Sequence, residues 1–467
     1  TSAVVLTTPQ LEQAESNYSQ DRGASVQGAI QLYLRLKLGP EMKFLSRFDA
    51  IYATEFNYEC AAGIYWIFKG HYDIDQIRNR YADRIMFAKH PDGTYKYQKY
   101  HQLLCERYGY YFWMPAPQVD ISQHIALYDG EAIANSDQLF GMFEELQSKP
   151  LPRSRPLWGL TVAQLADNFE NRQGPHFVMY EKLHHVMTNG MNQVKMYTEC
   201  FIDEPYKENY KIMKLPSMSF GDFFKSWLIG PGFFLKSTIF NDDNALSTFK
   251  RSGKLILADI SVPISLERFR AIRKATNATV NDIMLSCIAF AIRCHFMRKG
   301  LQVPTHVRQI IPFALDFENI THGLNLLPTG DTSPLQRLAA TKEQLDQLKF
   351  SNVGVFNFFF VHLFPNVLPA KLVNKLIVGA HHTVDISNIF GNQKEVTVFN
   401  KPVVDVGGFG PVPPHVGLSI IILSQNGNLT LNASADTAII ENREELKRML
   451  DDVTIGVDDL LKELHEL

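Results

Sequence analysis

Two adjacent histidines, His184 and His185, are followed after three residues by Asn189 and Gly190, and this is the most informative local arrangement in the chain. A neutral imidazole, whose ordinary pKa lies near 6.5, is a natural general base for an alcohol attacking an activated acyl group. Residues Phe177 to His185 read as a strand feeding a turn at Asn189-Gly190, with a helix from Met191. Strand alternation puts His184 and His185 on opposite faces, so only one of them faces a given cleft. A glycine just past the turn permits close approach of the helix that follows. Taken alone, a histidine pair before a turn is more often packing or surface than chemistry.

Other segments give the pair a context. Phe44-Leu45-Ser46-Arg47-Phe48-Asp49-Ala50 and Arg155-Pro156-Leu157-Trp158 precede it. Ala278-Thr279-Val280-Asn281-Asp282 opens a long apolar helix, and Ser387-Asn388-Ile389-Phe390-Gly391-Asn392 sits in the last third. In this order they resemble the wax ester synthase/diacylglycerol acyltransferase family, within the His-His-x-x-x-Asp-Gly acyltransferases. The resemblance runs from about residue 44 to the end. It implies an α/β (α+β) fold of two chloramphenicol-acetyltransferase-like lobes with an active-site tunnel between them.

It also implies an acyl-CoA-dependent O-acyltransferase esterifying a long-chain alcohol or acylglycerol, acyl-CoA being a co-substrate and no further cofactor needed. His185 would be the general base and His184 its neighbour at the catalytic motif. Asn189, Gly190, Pro156, Leu157, Trp158, Asn281, Asp282, Ser387, Asn388 and Gly391 would be motif or structural positions. Helix capping explains Asn281 and Asp282 at least as well as catalysis does.

Three positions depart from the family pattern. Position 189 is Asn where the motif has Asp, an architectural carboxylate, so a charge-assisted bond is weakened. Phe390 stands where a proline would be, and Phe313-Ala314-Leu315 replaces a polar segment. Each change makes the site less polar. They motivate an alternative reading: a soluble hydrophobic-ligand protein that holds a lipid, isoprenoid or pigment in the retained fold with weak or no activity.

The composition bounds the answer. The chain has 467 residues, enough for two or three domains, with 45% hydrophobic and 20% charged residues. Lys plus Arg number 46 against 49 Asp plus Glu, a net charge of −3 that provides no basic field for nucleic acid. Aromatics reach 12% with 32 Phe, which suits an apolar channel as well as a large core. The division expected is an arm over 1–40, a lobe over 41–205, a linker over 206–255 and a second lobe over 256–467.

Residues 30–38 satisfy both strand alternation and a helical stripe. Helices are expected over Ile74–Ala88, Ser136–Gln147, Leu266–Lys274, Thr279–Arg298 and Arg443–Asp452, and a strand over Lys254–Ile264. The apolar stretches Phe220–Phe240 and Val353–Leu368 are interrupted by charges or prolines and do not read as membrane spans. They suit peripheral membrane contact, a tunnel lining or core.

The five cysteines, Cys60, Cys105, Cys200, Cys287 and Cys294, form no CxxC pair and read as free thiols, with a Cys60–Cys105 disulfide as the alternative. Sequons at Asn17, Asn277, Asn319, Asn428 and Asn432, with a first residue other than Met, suggest a secreted or secretory-lumen glycoprotein, or one attached to the endoplasmic reticulum membrane. His381-His382-Thr383-Val384-Asp385 is one residue short of the histidine motif and lacks its glycine, so it reads as the approach to the Ser387 strand. Gly407-Gly408-Phe409-Gly410-Pro411 is no phosphate cradle, since prolines deny a helix start. No metal cluster is expected.

Overall fold

A strand whose residues are buried on both faces must sit inside a sheet covered on both sides, and β7 (His176–His184) is such a strand, buried at every position. In the computed structural model it runs antiparallel between β2 (Ala61–Lys69) and β6 (Trp158–Leu165). The structure describes residues 26–207 except 40, 46 and 55–59, then 242–247, 251–314, 320–350 and 381–466 except 414, with isolated positions at 224, 228, 231, 232 and 372. Phe220–Phe240 and Val353–Leu368 therefore lie almost wholly outside the described residues, as do Leu315, Asn17 and Asn319.

The first lobe is built on a six-stranded sheet in the order β13-β14-β2-β7-β6-β5, with β5 at Ile125–Leu127, β13 at Thr397–Val398 and β14 at Lys401–Phe409. Its helices are α3 (Ile74–Tyr81) and α4 (Ser136–Ser148). Before them come α1 (Val26–Leu38), β1 (Lys43–Phe44) and α2 (Arg47–Ala53); β3 (Gln102–Arg107) and β4 (Tyr110–Pro115) join β1 in a three-stranded sheet. The ambiguous stretch at 30–38 is thus helical, with Leu34 buried against Met42, Tyr110 and Phe112 while Leu32, Tyr33 and Leu36 stay exposed. After α3 the helix continues as a single π-turn over Ala82–Met86.

The second lobe carries a seven-stranded sheet. β8 (Leu255–Asp259), β10 (His306–Ala314), β11 (Ile320–Pro328), β12 (His382–Phe390), β15 (Val416–Gln425) and β16 (Asn428–Asp436) run in the order β11-β10-β12-β15-β16-β8, and β9 (Ile264–Ser265) pairs with β16. The strand expected over Lys254–Ile264 is therefore two pieces. Four helices, α6 (Leu266–Thr276), α7 (Val280–Arg298), α8 (Pro334–Phe350) and α9 (Arg443–His465), belong to this lobe. They bury Ile283, Ile288 and Ile292 of α7 and Leu446, Leu450 and Val457 of α9 against Ile386, Ile420 and Leu431 of the sheet. α9 runs well past Asp452 because Gly456 packs flat against Cys287 and Phe290 of α7, where a Cβ would stand 3.2 Å from both side chains. Among the described residues α7 alone is long and apolar enough to cross a membrane, and it lies buried as the core helix.

β14 is the element that sequence order conceals. It comes from the second half of the chain yet pairs antiparallel with β2, completing the first lobe's sheet. A second fastening is Arg443 at the start of α9. Its guanidinium donates to Asp137 Oδ1 and Glu144 Oε2 of α4, each at 2.9 Å, and to the Leu257 carbonyl of β8 at 3.2 Å.

The five cysteines are free, Cys60 and Cys287 being buried, so Cys60 and Cys105 are not bridged. The sequon at Asn432 is corrected: this side chain is 1% exposed in β16, between β15 and β8, and no glycan fits there in the folded chain. Asn277 is exposed and ends α6 in the left-handed conformation, and Asn428 is half-buried.

Gly417 in β15 marks where residues 242–247 dock on the second sheet. A Cβ there would overlap the main-chain oxygens of Leu246 and Thr383. Backbone cannot yield as a flexible side chain can, so Gly417→Ala is expected to destabilise the fold by about 2 kcal/mol or more, read as a lowered midpoint in denaturant or thermal unfolding.

Candidate active site

The last hydrogen bonds of β7 place the two histidines. His184 N donates to the Leu157 carbonyl at 2.9 Å and His185 N to the Cys60 carbonyl at 2.7 Å, so β6 and the residue before β2 hold the strand end from both sides. Leu157 and Trp158 are buried at 1% and 0% exposure, and Pro156 is buried with them, which makes the Pro-Leu-Trp segment the strut under the motif. Trp158 stacks between His124 (4.4 Å) and Tyr81 (5.4 Å). Past the strand the chain turns: Met187 N donates to the His184 carbonyl at 2.8 Å and Val186 N to His184 Nδ1 at 3.2 Å. His184 is fully buried and serves this turn. His185, half-buried beyond the strand end, lies parallel to the ring of Tyr52 at 4.1 Å between centroids.

The opening signature supplies more than that ring. Asp49 of α2 accepts from Lys99 Nζ at 2.9 Å, and the same ammonium donates to the Val186 carbonyl at 2.7 Å. Lys99 thus ties the residue after His185 to α2. Burial holds the His185 imidazole down to about 4; Asp49 and a hydrogen bond to the residue's own main chain oppose that shift, while His184 and Lys99 add to it.

Asn189 is the N-cap of α5 (Gly190–Met196), its Oδ1 accepting from Asn192 N at 2.8 Å. Asn and Asp rank together as N-caps, so the substitution keeps this function. Gly190 then lets the helix meet the second lobe: a Cβ there would stand 2.5 Å from Ile389 Cδ1. One turn past α5, Thr198 Oγ1 donates to Asn392 Oδ1 at 2.6 Å. The Ser387–Asn392 segment is therefore gripped from the first lobe at two points.

On the second-lobe side, Asn388 Nδ2 donates to Asn281 Oδ1 at 3.3 Å, joining β12 to the first turn of α7. Asp282 is 1% exposed and closes a capping box: its Oδ2 accepts from Thr279 N at 2.8 Å while Thr279 Oγ1 accepts from Asp282 N at 3.1 Å. Gly391 N donates to the Ser424 carbonyl, where a Cβ would sit 2.8 Å from that oxygen. Ser387 is half-buried, and the Phe390 ring is 40% exposed. A cavity of about 610 Å³ lies beside the Thr279 cap, between Ala278, Leu335, Leu338 and Lys342.

Sequence spacing missed Tyr52, Lys99 and Glu181. Glu181 is fully buried in β7 and takes hydrogen bonds from Tyr81 OH (2.7 Å), Gln193 Nε2 (2.6 Å) and Tyr197 OH. Its neighbour Lys182 points the other way and donates to the Gln147 and Lys149 carbonyls at the end of α4. The available signal was two charges side by side in an otherwise apolar strand. Among the described residues no group of three His, Cys, Asp or Glu is placed to hold a metal ion.

Two fastened lobes and a histidine pair at the end of a central strand fit an acyltransferase of the two-lobed kind. The comparisons agree. Residues 83–216 match the wax ester synthase/diacylglycerol acyltransferase catalytic domain, and residues 320–454 match the WS/DGAT C-terminal domain. The chain belongs to the wax ester synthase/diacylglycerol acyltransferase family and is an acyltransferase.

A probable diacylglycerol O-acyltransferase of Mycobacterium tuberculosis is 22% identical over 379 residues, 73% of this chain and 80% of the relative. A wax ester synthase/diacylglycerol acyltransferase of Arabidopsis thaliana is 23% identical, covering 70% and 79%. The solved wax ester synthase/diacylglycerol acyltransferase of Marinobacter aquaeolei superposes with a TM-score of 0.62 at 17% identity, over 90% of this chain and all (100%) of that one. A trichothecene 15-O-acetyltransferase of Fusarium sporotrichioides gives a TM-score of 0.58 at 11% identity, over 90% and 95%. At these identities the superpositions speak for the fold.

Because Asn189 acts as a cap, Asn189→Ala is expected to cost about 1 kcal/mol of stability and Asn189→Asp to stay within about 0.5 kcal/mol of wild type. Chemical denaturation of the three proteins measures both.

Proposed function

We infer that this acyltransferase moves an acyl group from a long-chain acyl-CoA to the hydroxyl of a long-chain alcohol or acylglycerol, with His185 as general base. The observation that carries the reading is the placement of His185: a half-buried imidazole at the end of the central strand, kept neutral by burial, in the turn that leads to Gly190 where α5 meets β12. A neutral imidazole keeps one nitrogen lone pair free to accept a proton, and the reading gives that role to Nε2.

The steps follow from that tautomer. Nε2 takes the proton of the acceptor hydroxyl as its oxygen attacks the thioester carbonyl. The tetrahedral species collapses by breaking the carbon–sulfur bond, and the departing thiolate takes the proton back from the imidazolium. Asp49 stabilises that transient cation, while its pairing with Lys99 limits repulsion from the ammonium. No acyl-enzyme is needed, because a thiolate is already a good leaving group. The relatives named as diacylglycerol O-acyltransferases and wax ester synthases support the lipid acceptor.

Ester formation from long-chain acyl-CoA and fatty alcohol is the direct test. His185→Ala is expected to lower kcat/KM on the order of 10²–10⁴-fold; equal rates in the two proteins would remove His185 from the role. The pH profile is a separate test. A base whose pKa is lowered to about 4 is already deprotonated at neutrality. The rate should therefore hold as the pH falls from 7 and be lost only as it drops through about 4, rather than near the ordinary histidine value of about 6.5.

A further inference from the structure

β12 turns one face to the helices of the second lobe and the other to the first lobe. Val384 and Ile386 point into the helix-packed core. Asp385, Ser387 and Ile389 share the opposite face by alternation, and Ile389 meets Gly190 there. Directly across from Asp385 stands Ser419 of β15, and across from Ser419 stands Ser434 of β16. This polar row crosses the sheet at roughly 5 Å per strand, in a place where apolar side chains would be expected against the neighbouring lobe.

The row's hydrogen bonding is incomplete. Asp385 Oδ1, Ser419 Oγ and Ser434 Oγ are buried polar atoms without a hydrogen-bond partner among the described residues. Ser419 and Ser434 are 1% and 0% exposed. The Asp385 carboxyl and the Ser419 hydroxyl stand one strand spacing apart and are not bonded to each other. An unpartnered buried polar group destabilises a fold; several aligned ones are the features of a site shaped for another molecule. The row also has an open and a closed end. Asp385 is half-buried. Beyond Ser419 the row is covered by Gly410 after β14, and it ends at Leu257, which packs with Tyr65, Phe143 and Phe409 of the first lobe.

We propose that Asp385 and Ser419 form a subsite for a hydroxyl group carried far along the chain of an otherwise apolar substrate. A hydroxyl bridges the pair by donating to the carboxyl and accepting from the serine, which a methylene chain cannot do. Desolvation raises the Asp385 carboxyl to about 7. Along β12, Asp385 lies four residues from Ile389, about 13 Å at the strand rise, so the bound hydroxyl is distinct from the one that reacts. The substrate class is then a long-chain diol or a hydroxylated acyl chain. This assignment rests on the acyltransferase reading for which hydroxyl reacts, but the subsite can be tested without turnover.

The experiment compares a long-chain primary alkanol with the α,ω-diol of equal length, by isothermal titration of the full chain. Wild type should bind the diol about tenfold more tightly. Asp385→Leu should erase the difference, and Ser419→Ala should reduce it. Both variants should melt at or above the wild-type temperature, because each removes a polar group the fold leaves unpaired; a purely structural carboxyl would lower it.

Equal affinities in wild type, or a preference that survives Asp385→Leu, overturns the proposal. Esterification assays on the same preparations use plain acyl-CoA with the diol and ω-hydroxyacyl-CoA with the alkanol. The arm that shows the preference identifies which chain carries the hydroxyl. Turnover without any diol preference in binding removes the subsite and leaves the acyltransferase; a diol preference in binding without turnover does the reverse.

Discussion

A carboxyl group fully buried in the central strand of a sheet must be given hydrogen-bond donors, and Glu181 is the constraint from which much of the first lobe follows. Left unpaired in that interior its polar atoms would cost several kcal/mol; burial already pushes its pKa up. Tyr81 at the end of α3, Gln193 within α5 and Tyr197 just after α5 supply the donors. Those bonds fix α5 against β7, and a helix fixed there must begin at Asn189. The turn from His185 to Asn189 is therefore held from beyond it, while Leu157 and Cys60 hold it from before. Lys182, buried on the other face, fastens the same strand to the end of α4. Two charges in one strand, one directed to each side, set the position of the site.

The seam between the lobes depends on that turn. α5 meets β12 closely at residue 190, which lacks a side chain, and Ile389 occupies the space. Thr198 then reaches Asn392, and Asn388 reaches Asn281 at the head of α7. The segments recognisable in the sequence form a connected chain of contacts: Asp49 to Lys99 to Val186, then the turn, Gly190, Ile389, Asn388 and Asn281. Only part of that chain touches reacting atoms. The rest aligns one lobe against the other, as does Arg443, which grips α4 from the start of α9.

Local patterns were legible where one physical rule acted alone. The helix of α7 followed from its long apolar run, and β7 read as a strand feeding a turn. Residues 30–38 obeyed two periodicities, and burial of Leu34 against Met42 and Tyr110 decided between them. α9 outran its expected end because Gly456, ordinarily a helix weakener, lets it lie close to α7. β14 was invisible for a different reason: which sheet a strand joins depends on partners far away in sequence, and a short strand carries no mark of them. Lys99 and Tyr52 escaped likewise, since their value lies in distance to a histidine more than eighty positions away along the chain.

The charge state of His185 shows how these supports act together. An ammonium near an imidazole opposes protonation, and a carboxylate favours it. Lys99 and Asp49 bring one of each, and they are paired with one another at 2.9 Å. A paired neighbour contributes less net field than either partner alone, so desolvation decides the resting state and the ring is neutral. If the ring takes a proton during reaction, as proposed, the carboxylate is already in place to stabilise it and needs no rearrangement, which is the general advantage of preorganised charge. Removing the lysine would therefore act twice, freeing the Val186 carbonyl from its anchor and taking an ammonium from beside Asp49 and His185. Asp49 and Lys99 are positioning residues for His185, and they explain why the opening segment of the chain belongs to a site formed well over a hundred residues later.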